Sequence, residues 1–267
     1  MIAVIGDLII DKYIMGTAMR LCPEAPVPVV VPTQASYETR GGAGLVSDQL
    51  RELIGSENVV EYFGSKSRKE RTFVDGRLVL RVDYDGLPHD SALAPESYAD
   101  AVITILQHEP VSMLVVSDYG KGALDRRSAS DIMQAAERME IPVLVDTKSS
   151  WGWYHGAYAI FPNQNELVVD SRQFPDVRHV IQKLGALGCE VDGQHVPGYE
   201  HEVRDVTGAG DVFMAAFAAK LFCSDEVELT EVADFANIVA GISVTYVGTH
   251  VVTGEEIEDF YRENDKE

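Results

Sequence analysis

Short apolar runs that each lead to an acid or an amide constrain the fold of this chain more than any other feature. The runs occupy residues 2–5, 113–116, 143–145 and 157–161, and the polar residues after them are Asp7, Asp118, Asp146, and Asn163 with Glu166. Stretches of helical periodicity separate the runs. Alternating strands and helices predict an α/β fold with a doubly wound, mostly parallel sheet flanked by helices. The carboxyl ends of parallel strands meet at one edge of the sheet, so we expect the ligand site there.

Length and composition favour a single domain spanning residues 1–267. The 267 residues are 46% hydrophobic, enough to bury one large core. A formal net charge of −21 disfavours nucleic acid and anionic membranes as partners. No apolar run approaches the ~20 residues needed to span a bilayer, and the N-terminus has no basic signal-peptide region. Three widely spaced cysteines argue for a reducing compartment, so we expect a cytoplasmic protein.

The stretch from Asp205 to Asp211, of sequence DVTGAGD, leads directly into an apolar, alanine-rich helix. Gly208 and Gly210 have no Cβ, so a ligand can approach their backbone N–H groups closely. The start of the helix adds unpaired N–H donors and the positive end of the helix dipole, which together form a socket for a phosphate. Asp211 would repel that anion unless it accepts a proton from the attacking group, which points to phosphoryl transfer to a hydroxyl. The alternative is an aspartate that caps an ordinary buried helix.

One segment is basic in this acidic chain. Residues 66–81 contain Lys66, Arg68, Lys69, Arg71, Arg77 and Arg81 against only Glu70 and Asp75. An enzyme with an anionic substrate and a negative overall field needs such a patch. The alternative is a solvated hairpin face of mixed charge, with Asp75-Gly76 as its type I′ turn. Four prolines between residues 21 and 33 favour an edge strand or a flap there.

The acids at the sheet edge leave two further interpretations open. Carboxylates gathered at one edge suit a Mg²⁺ ion held partly through water. Asp7 and Asp11 can bind sugar hydroxyls or simply cap a turn.

Several motifs resemble those of a known family. Asp205 to Asp211 resembles the C-terminal motif of ribokinase-like (phosphofructokinase-B) sugar kinases, and Gly41-Gly42 stands where that family has a diglycine. Further segments look like the kinase domain of bacterial heptose-7-phosphate kinases, namely residues 6–13, 23–30, 117–124, 143–148 and 162–166. The resemblance implies an ATP- and Mg²⁺-dependent kinase that converts heptose 7-phosphate to the 1,7-bisphosphate. It also implies a small β-strand lid within about residues 9–38 and 69–84, and a homodimer formed through that lid.

The resemblance implies a role for each matching residue. Asp211 would be the base, with the N–H groups of Gly208, Ala209 and Gly210 stabilising charge on the transferred phosphoryl group. Asn163 and Glu166 would position Mg²⁺, through water, and the nucleotide phosphates. The other residues implied to bind the nucleotide are Lys183, Gly185, Gly188, Asp205, Thr207 and Asn237. Those implied to bind the sugar phosphate are Asp7, Asp11, Gly41, Gly42, Lys69, Arg71 and Asp118.

The chain departs from the family pattern at several points. Leu45 stands where the family has an asparagine that bonds sugar hydroxyls, and a leucine side chain can neither donate nor accept a hydrogen bond. Lys183 replaces a threonine in the nucleotide turn. The segment between Phe63 and Lys69 is short, and the helix expected after Glu166 is reduced to about residues 170–176. Two alternatives therefore stay open: a kinase for a different sugar or small molecule, and a nucleotide-binding relative that has lost its activity.

Overall fold

The computed structural model describes residues 1–85, 94–166, 176–224, 226 and 228–264. The strands in these ranges are β1 (Ile2–Thr17), β2 (Val31–Pro32), β3 (Tyr37–Gly42), β4 (Val59–Val74), β5 (Arg77–Tyr84), β6 (Met113–Asp118), β7 (Val143–Thr147), β8 (Ala159–Ile160), β9 (His179–Lys183), β10 (Cys189–Val191) and β11 (Gln194–Val196). The helices are α1 (Ala43–Ile54), α2 (Pro95–His108), α3 (Arg126–Arg138), α4 (Ala209–Phe222), α5 (Leu229–Ser243) and α6 (Gly254–Asn264).

The strands form one mixed sheet with a parallel centre. Its order is β11-β10-β9-β8-β7-β6-β1-β4-β5, and β2 and β3 pair with β1. Neighbouring strands from β9 through β4 run parallel, whereas β2, β3, β5, β10 and β11 pair antiparallel. This arrangement confirms the predicted doubly wound α/β fold.

Helices cover both faces of the sheet, because successive strand residues point to opposite sides. In β1, Ile2 and Val4 pack into the core beneath α1, α4 and α5, whereas Ala3 and Ile5 pack beneath α2 and α3. Helix α4 is apolar on all sides and almost wholly buried. Phe217 in α4 stacks edge-on against Phe161, with ring centroids 5.2 Å apart. This packing fixes the start of α4 above the carboxyl ends of the central strands.

Strand β1 is much longer than the apolar run at residues 2–5 predicts, and β4 is just as long. β1 continues past Gly6 to Thr17, and β4 runs without a break from Val59 to Val74. A register shift at Gly6 and Asp7 marks the point where the two strands leave the central sheet. Beyond it, β3 adds to β1 and β5 adds to β4. We call this outer part, residues 9–42 and 66–84, the lid sheet.

The lid sheet contains the predicted hairpin turn. Asp75 and Gly76 both have positive φ, 47° and 77°, as a type I′ turn between β4 and β5 requires.

The reduced helix expected at about residues 170–176 falls almost entirely outside the described residues. The assignment of residues 1–267 to a single domain stays a prediction. In the part of the chain that the structure describes, no helix combines the length and the apolar character needed to cross a membrane.

Candidate active site

The DVTGAGD stretch forms a tight loop before α4. Gly208 has φ +81°, a left-handed conformation that side chains rarely adopt, and a Cβ there would lie 2.5 Å from Leu45 Cδ2. Asp205 holds the loop, because its carboxylate accepts hydrogen bonds from the N–H and hydroxyl of Thr207, at 3.0 and 2.7 Å, and from Gly248 N, at 2.9 Å. Burial opposes ionisation of Asp205, yet these hydrogen bonds lower its pKa below the usual value. Asp205 and Thr207 therefore shape the loop. That they also contact the nucleotide stays a prediction.

Asp211 lies in the first turn of α4, and within the described residues one of its two carboxylate oxygens accepts a hydrogen bond. Its side chain is buried, and Oδ2 accepts a hydrogen bond of 2.8 Å from the Tyr119 hydroxyl. Oδ1 is also buried and has no hydrogen-bond partner within the described residues. An unpaired buried acceptor is costly, so this oxygen is suited to a group that arrives with the substrate.

Burial makes Asp211 a weaker acid than an ordinary aspartate. Loss of solvent and the nearby charge of Asp146 raise its pKa to about 6, although Tyr119, Lys183 and Lys148 oppose the shift. A carboxylate with a pKa near 6 is still ionised at neutral pH but accepts a proton more readily than a solvated one. These are the properties of a general base.

Four charged side chains form a network next to the start of α4. This charged cluster consists of Asp146, Lys148, Glu166 and Lys183. Lys183 and Lys148 both bond the carboxylate of Asp146, Lys148 at 3.1 Å, and Lys148 also bonds Glu166 at 2.6 Å. Burial opposes ionisation of Asp146, but the two lysines outweigh it and lower the pKa.

Lys183 places its ammonium group directly beside the glycine loop. A Cβ at Gly210 would lie 3.3 Å from Lys183 Nζ, so a side chain at this position would crowd the cation. Lys183 therefore adds a positive charge where the helix start already attracts anions.

Asn163 and Glu166 hold each other in a closed turn. Glu166 Oε2 accepts a hydrogen bond of 2.8 Å from Asn163 N, and Asn163 Oδ1 accepts one of 3.0 Å from Glu166 N. A cavity of about 340 Å³ opens beside this turn, lined by Thr147, Lys148, Ser149, Trp151, Asn163, Asn165 and Glu166. No cluster of three or more His, Cys, Asp or Glu side chains able to hold a metal occurs among the described residues. The side-chain oxygens of Asn163 and Glu166 fit a Mg²⁺ ion bound mainly by phosphate oxygens and water, the mode this ion prefers.

The predicted nucleotide turn follows β9. Gly185 and Gly188 have φ of 63° and 91°, and between them the chain makes one 3₁₀ turn. Asn237 is buried in α5 and donates hydrogen bonds of 3.3 and 3.1 Å to the carbonyls of Val196 and Pro197. The structure thus places Asn237 as a support for the chain after β11.

Asp7 is placed beneath the site, with both oxygens already engaged. Its Oδ1 accepts hydrogen bonds from the Ser65 hydroxyl and from Ala123 N, at 3.0 Å. Its Oδ2 accepts from Tyr119 N and Lys121 N, at 2.7 and 3.1 Å. Burial raises the pKa of Asp7, and these hydrogen bonds oppose the rise. This arrangement favours a role in holding residues 119–123 over direct contact with a sugar.

Asp118 is engaged in the same way. It is 1% exposed, and its two oxygens accept four hydrogen bonds of 2.6–3.0 Å, from Gly120, Thr147, Ser149 and Tyr154. Asp7 and Asp118 therefore lie at the sheet edge as predicted, but as internal supports.

The remaining predicted sugar-binding residues all lie on neighbouring strands of the lid sheet. Arg71 Nη1 donates a hydrogen bond of 2.5 Å to Asp11 Oδ1, and a Cβ at Gly41 would lie 2.5 Å from Asp11 Oδ2. Gly42 follows at the end of β3, with φ +58°. The Lys69 ammonium lies over the Tyr119 ring, 5.5 Å from its centroid. Burial, assisted by neighbouring arginines, lowers the pKa of Lys69, although Asp11 opposes the shift.

Two residues at the site were not predicted. Tyr119 contacts Asp211, and Lys148 links Asp146 to Glu166. Both follow a predicted strand end by only one or two positions and lie within the family-like segments 117–124 and 143–148, but neither signal indicated a role for its side chain. Leu45, in contrast, is buried in the core against the glycine loop, so its side chain offers no polar group to a ligand.

We expect the Asp211 carboxyl to titrate near pH 6, because burial and Asp146 both disfavour its charged form. Carbon-13 NMR of aspartate-labelled protein measures this, with Asp211→Asn to assign the signal. Lys183→Met removes a cation that lowers this pKa and should move the midpoint higher. A midpoint near the ordinary 3.8 would show instead that water reaches the carboxylate.

Known proteins resemble the chain in both sequence and structure. Residues 34–253 match the pfkB family carbohydrate kinase domain. The bifunctional protein HldE of Aliarcobacter butzleri (strain RM4018) is 29% identical over 97% of this chain, which spans 64% of that protein's length.

Solved structures share the ribokinase-like fold. Phosphofructokinase-2 from Escherichia coli superposes with a TM-score of 0.75 at 16% identity, covering 99% of this chain and 98% of the other. Ribokinase from Giardia lamblia gives 0.67 at 16% identity, covering 98% and 99%. Because the domain match covers most of the chain, this protein belongs to the pfkB family of carbohydrate kinases.

Proposed function

We propose that this kinase transfers the γ-phosphate of ATP to a hydroxyl of a phosphorylated sugar, converting heptose 7-phosphate to heptose 1,7-bisphosphate. The observation that carries the proposal is Oδ1 of Asp211, beside the glycine loop at the start of α4, which has no hydrogen-bond partner in the part of the chain that the structure describes. A base and an anion socket are adjacent there, and phosphoryl transfer to a hydroxyl needs both.

In this reaction the acceptor hydroxyl loses its proton and gains the phosphoryl group. The acceptor hydroxyl gives its proton to Asp211 as its oxygen bonds the γ-phosphorus, and the bond from that phosphorus to the ADP oxygen breaks. The N–H groups of Gly208, Ala209 and Gly210 stabilise the charge on the transferred group. ADP carries away the electron pair of the broken bond, and the proton on Asp211 returns to solvent.

The nucleotide lies on the side of the charged cluster. Lys183 neutralises charge on the phosphates, and Gly185 and Gly188 let the backbone approach the nucleotide, with Asn237 supporting the neighbouring loop. Asn163 and Glu166 would hold Mg²⁺ through water, and the ion would supply positive charge that neutralises the phosphates.

The sugar phosphate lies under the lid sheet. Asp11 and the backbone of Gly41 and Gly42 bind its hydroxyls, and Lys69 and Arg71 meet its phosphate. Lys69 is supported in this role because it is partly buried and stacks on an aromatic ring. Asp7 and Asp118 shape the floor of the site.

The choice of heptose 7-phosphate rests on the motifs at residues 6–13, 23–30 and 117–124, together with the likeness to HldE. Leu45 supports a second candidate, a kinase for another sugar, because it removes a polar contact that the family uses. A relative that only binds nucleotide remains the third, and the unpaired Asp211 oxygen argues against it.

ADP release with Mg²⁺-ATP and a panel of free and phosphorylated sugars tests the function. We expect turnover on heptose 7-phosphate, reduced in Asp211→Asn by about 10²–10⁴-fold, the usual contribution of a general base. Asp131→Asn, on the exposed face of α3, is the matched control and should behave as wild type. Turnover on another sugar alone would move the assignment to the second candidate, and ATP binding without any turnover would move it to the third.

Lys69 tests whether the substrate carries its own phosphate. Lys69→Met should raise KM for the sugar phosphate about tenfold or more, since an unmade hydrogen bond to a charged group costs ~1.5–3 kcal/mol. KM for ATP should stay within about twofold. Lys12→Met, which removes a lid-sheet lysine paired with Glu70 at 3.1 Å, should leave both constants unchanged. An equal rise in both KM values for Lys69→Met would contradict the assignment.

We also propose a cytoplasmic homodimer formed through the lid sheet. Leu78, Val79 and Leu80 are each about half exposed on β5, whose only strand partner in the described sheet is β4. Light scattering should give twice the chain mass of 29.3 kDa, and Leu80→Lys should halve it. Val203→Lys, at an equally exposed apolar residue outside the lid sheet, is the control. A wild-type mass of one chain would rule out the dimer.

A further inference from the structure

Tyr119 stands between the base and the lid sheet. Its hydroxyl donates to Asp211 Oδ2 at 2.8 Å, and the Lys69 ammonium lies over its ring. This tyrosine lies within the family-like segment of residues 117–124. Its ring joins the region proposed for the substrate's phosphate to the region proposed for its reacting hydroxyl.

The backbone of Tyr119 is anchored independently of its side chain. Tyr119 N donates to the buried carboxylate of Asp7 at 2.7 Å, and Lys121 N and Ala123 N donate to the same carboxylate. Because Asp7 belongs to β1, the loop is tied to the centre of the sheet. The hydroxyl is therefore presented to Asp211 from a fixed backbone.

Tyr119 is a donor over the whole working pH range. Burial and the nearby charges of Asp211 and Asp146 raise the pKa of its phenol well above the usual value. The hydroxyl therefore keeps its hydrogen, and the ionised carboxylate of Asp211 is its acceptor. The cation over the ring withdraws electron density and strengthens this donor.

We propose that Tyr119 is a positioning residue for the base: its hydroxyl fixes Asp211 Oδ2 and leaves Oδ1 as the oxygen that receives the proton of the acceptor hydroxyl. The inference rests on the proposed function and adds to it which oxygen reacts. If the carboxylate could rotate freely, either of its two oxygens could face Tyr119 or the acceptor hydroxyl. The hydrogen bond removes that freedom and stabilises the charged form of the base.

The test compares Tyr119→Phe with Tyr154→Phe. Tyr154 is the control, since its hydroxyl also donates a hydrogen bond of 2.7 Å to a carboxylate, that of Asp118, although Tyr154 is fully buried and Tyr119 only partly so. Two quantities are measured: the titration midpoint of the Asp211 carboxyl by carbon-13 NMR, and kcat with the sugar phosphate as a function of pH. The groups that face Asp211 and contribute to its titration are Tyr119 on the loop after β6, Asp146 on β7, Lys148 after β7, and Lys183 on β9.

Tyr119→Phe should raise the Asp211 midpoint, and the acid limb of the kcat profile, by about one pH unit, because the charged form loses a donor. It should also lower kcat at pH 7 about tenfold, with KM for ATP changed by less than about twofold. Tyr154→Phe should move neither the midpoint nor the acid limb. An unchanged midpoint and kcat in Tyr119→Phe would overturn the inference.

A second variant covers the case in which Tyr119→Phe fails to fold. Replacing Tyr119 by 3-fluorotyrosine keeps the hydroxyl and nearly the same volume but makes the phenol a stronger donor, so the Asp211 midpoint should fall. A midpoint that does not fall overturns the inference. The titrations need no turnover, so they decide the role of Tyr119 even if every sugar fails as a substrate and the proposed function is rejected.

Discussion

The buried carboxylate of Asp7 is the contact on which the geometry of the site depends. It lies at the register shift in β1 and accepts four hydrogen bonds, three of them from the backbone of residues 119–123. Hydrogen bonds to a charged group are each worth ~1.5–3 kcal/mol, so together they offset part of the cost of burying the charge, although burial still raises the pKa of Asp7. Through this carboxylate, the centre of the sheet fixes the loop that carries Tyr119, and the loop in turn meets Asp211.

Burial and the neighbouring charged groups together determine the pKa of Asp211. Raising its pKa from 3.8 to about 6 makes its charged form less favourable by roughly 3 kcal/mol. The helix start, Tyr119 and the two lysines of the charged cluster limit this cost, so the group is still ionised at neutral pH. Lys183 contributes to this balance and also faces the glycine loop. Lys183 thus links the glycine loop electrostatically to the carboxylate of Asp211.

Local patterns in the sequence predicted the secondary-structure elements, whereas contacts between distant residues determined the lengths of the strands and the roles of the side chains. The alternation of strands and helices, the Asp75-Gly76 turn and the loop before α4 all follow from neighbouring residues. The full lengths of β1 and β4 did not, because their outer halves are stabilised by pairing with β3 and β5 in the lid sheet. The position of Asp7 after an apolar run predicted an acid that binds a ligand. In the structure it accepts hydrogen bonds from Ser65 and from backbone N–H groups that lie more than a hundred residues further along the chain. The contact between Tyr119 and Asp211, 92 residues apart, could not be derived from spacing.

In the proposed reaction, Asp211 must be ionised to accept the proton of the sugar hydroxyl. The pH dependence of kcat/KM with heptose 7-phosphate tests this most directly. A carboxyl whose pKa is raised to about 6 is protonated below that pH, so kcat/KM should be level above about pH 7 and fall tenfold per pH unit below about 6. A profile that stays level down to pH 5 would contradict the account, since the base would then have the acidity of an ordinary solvated aspartate.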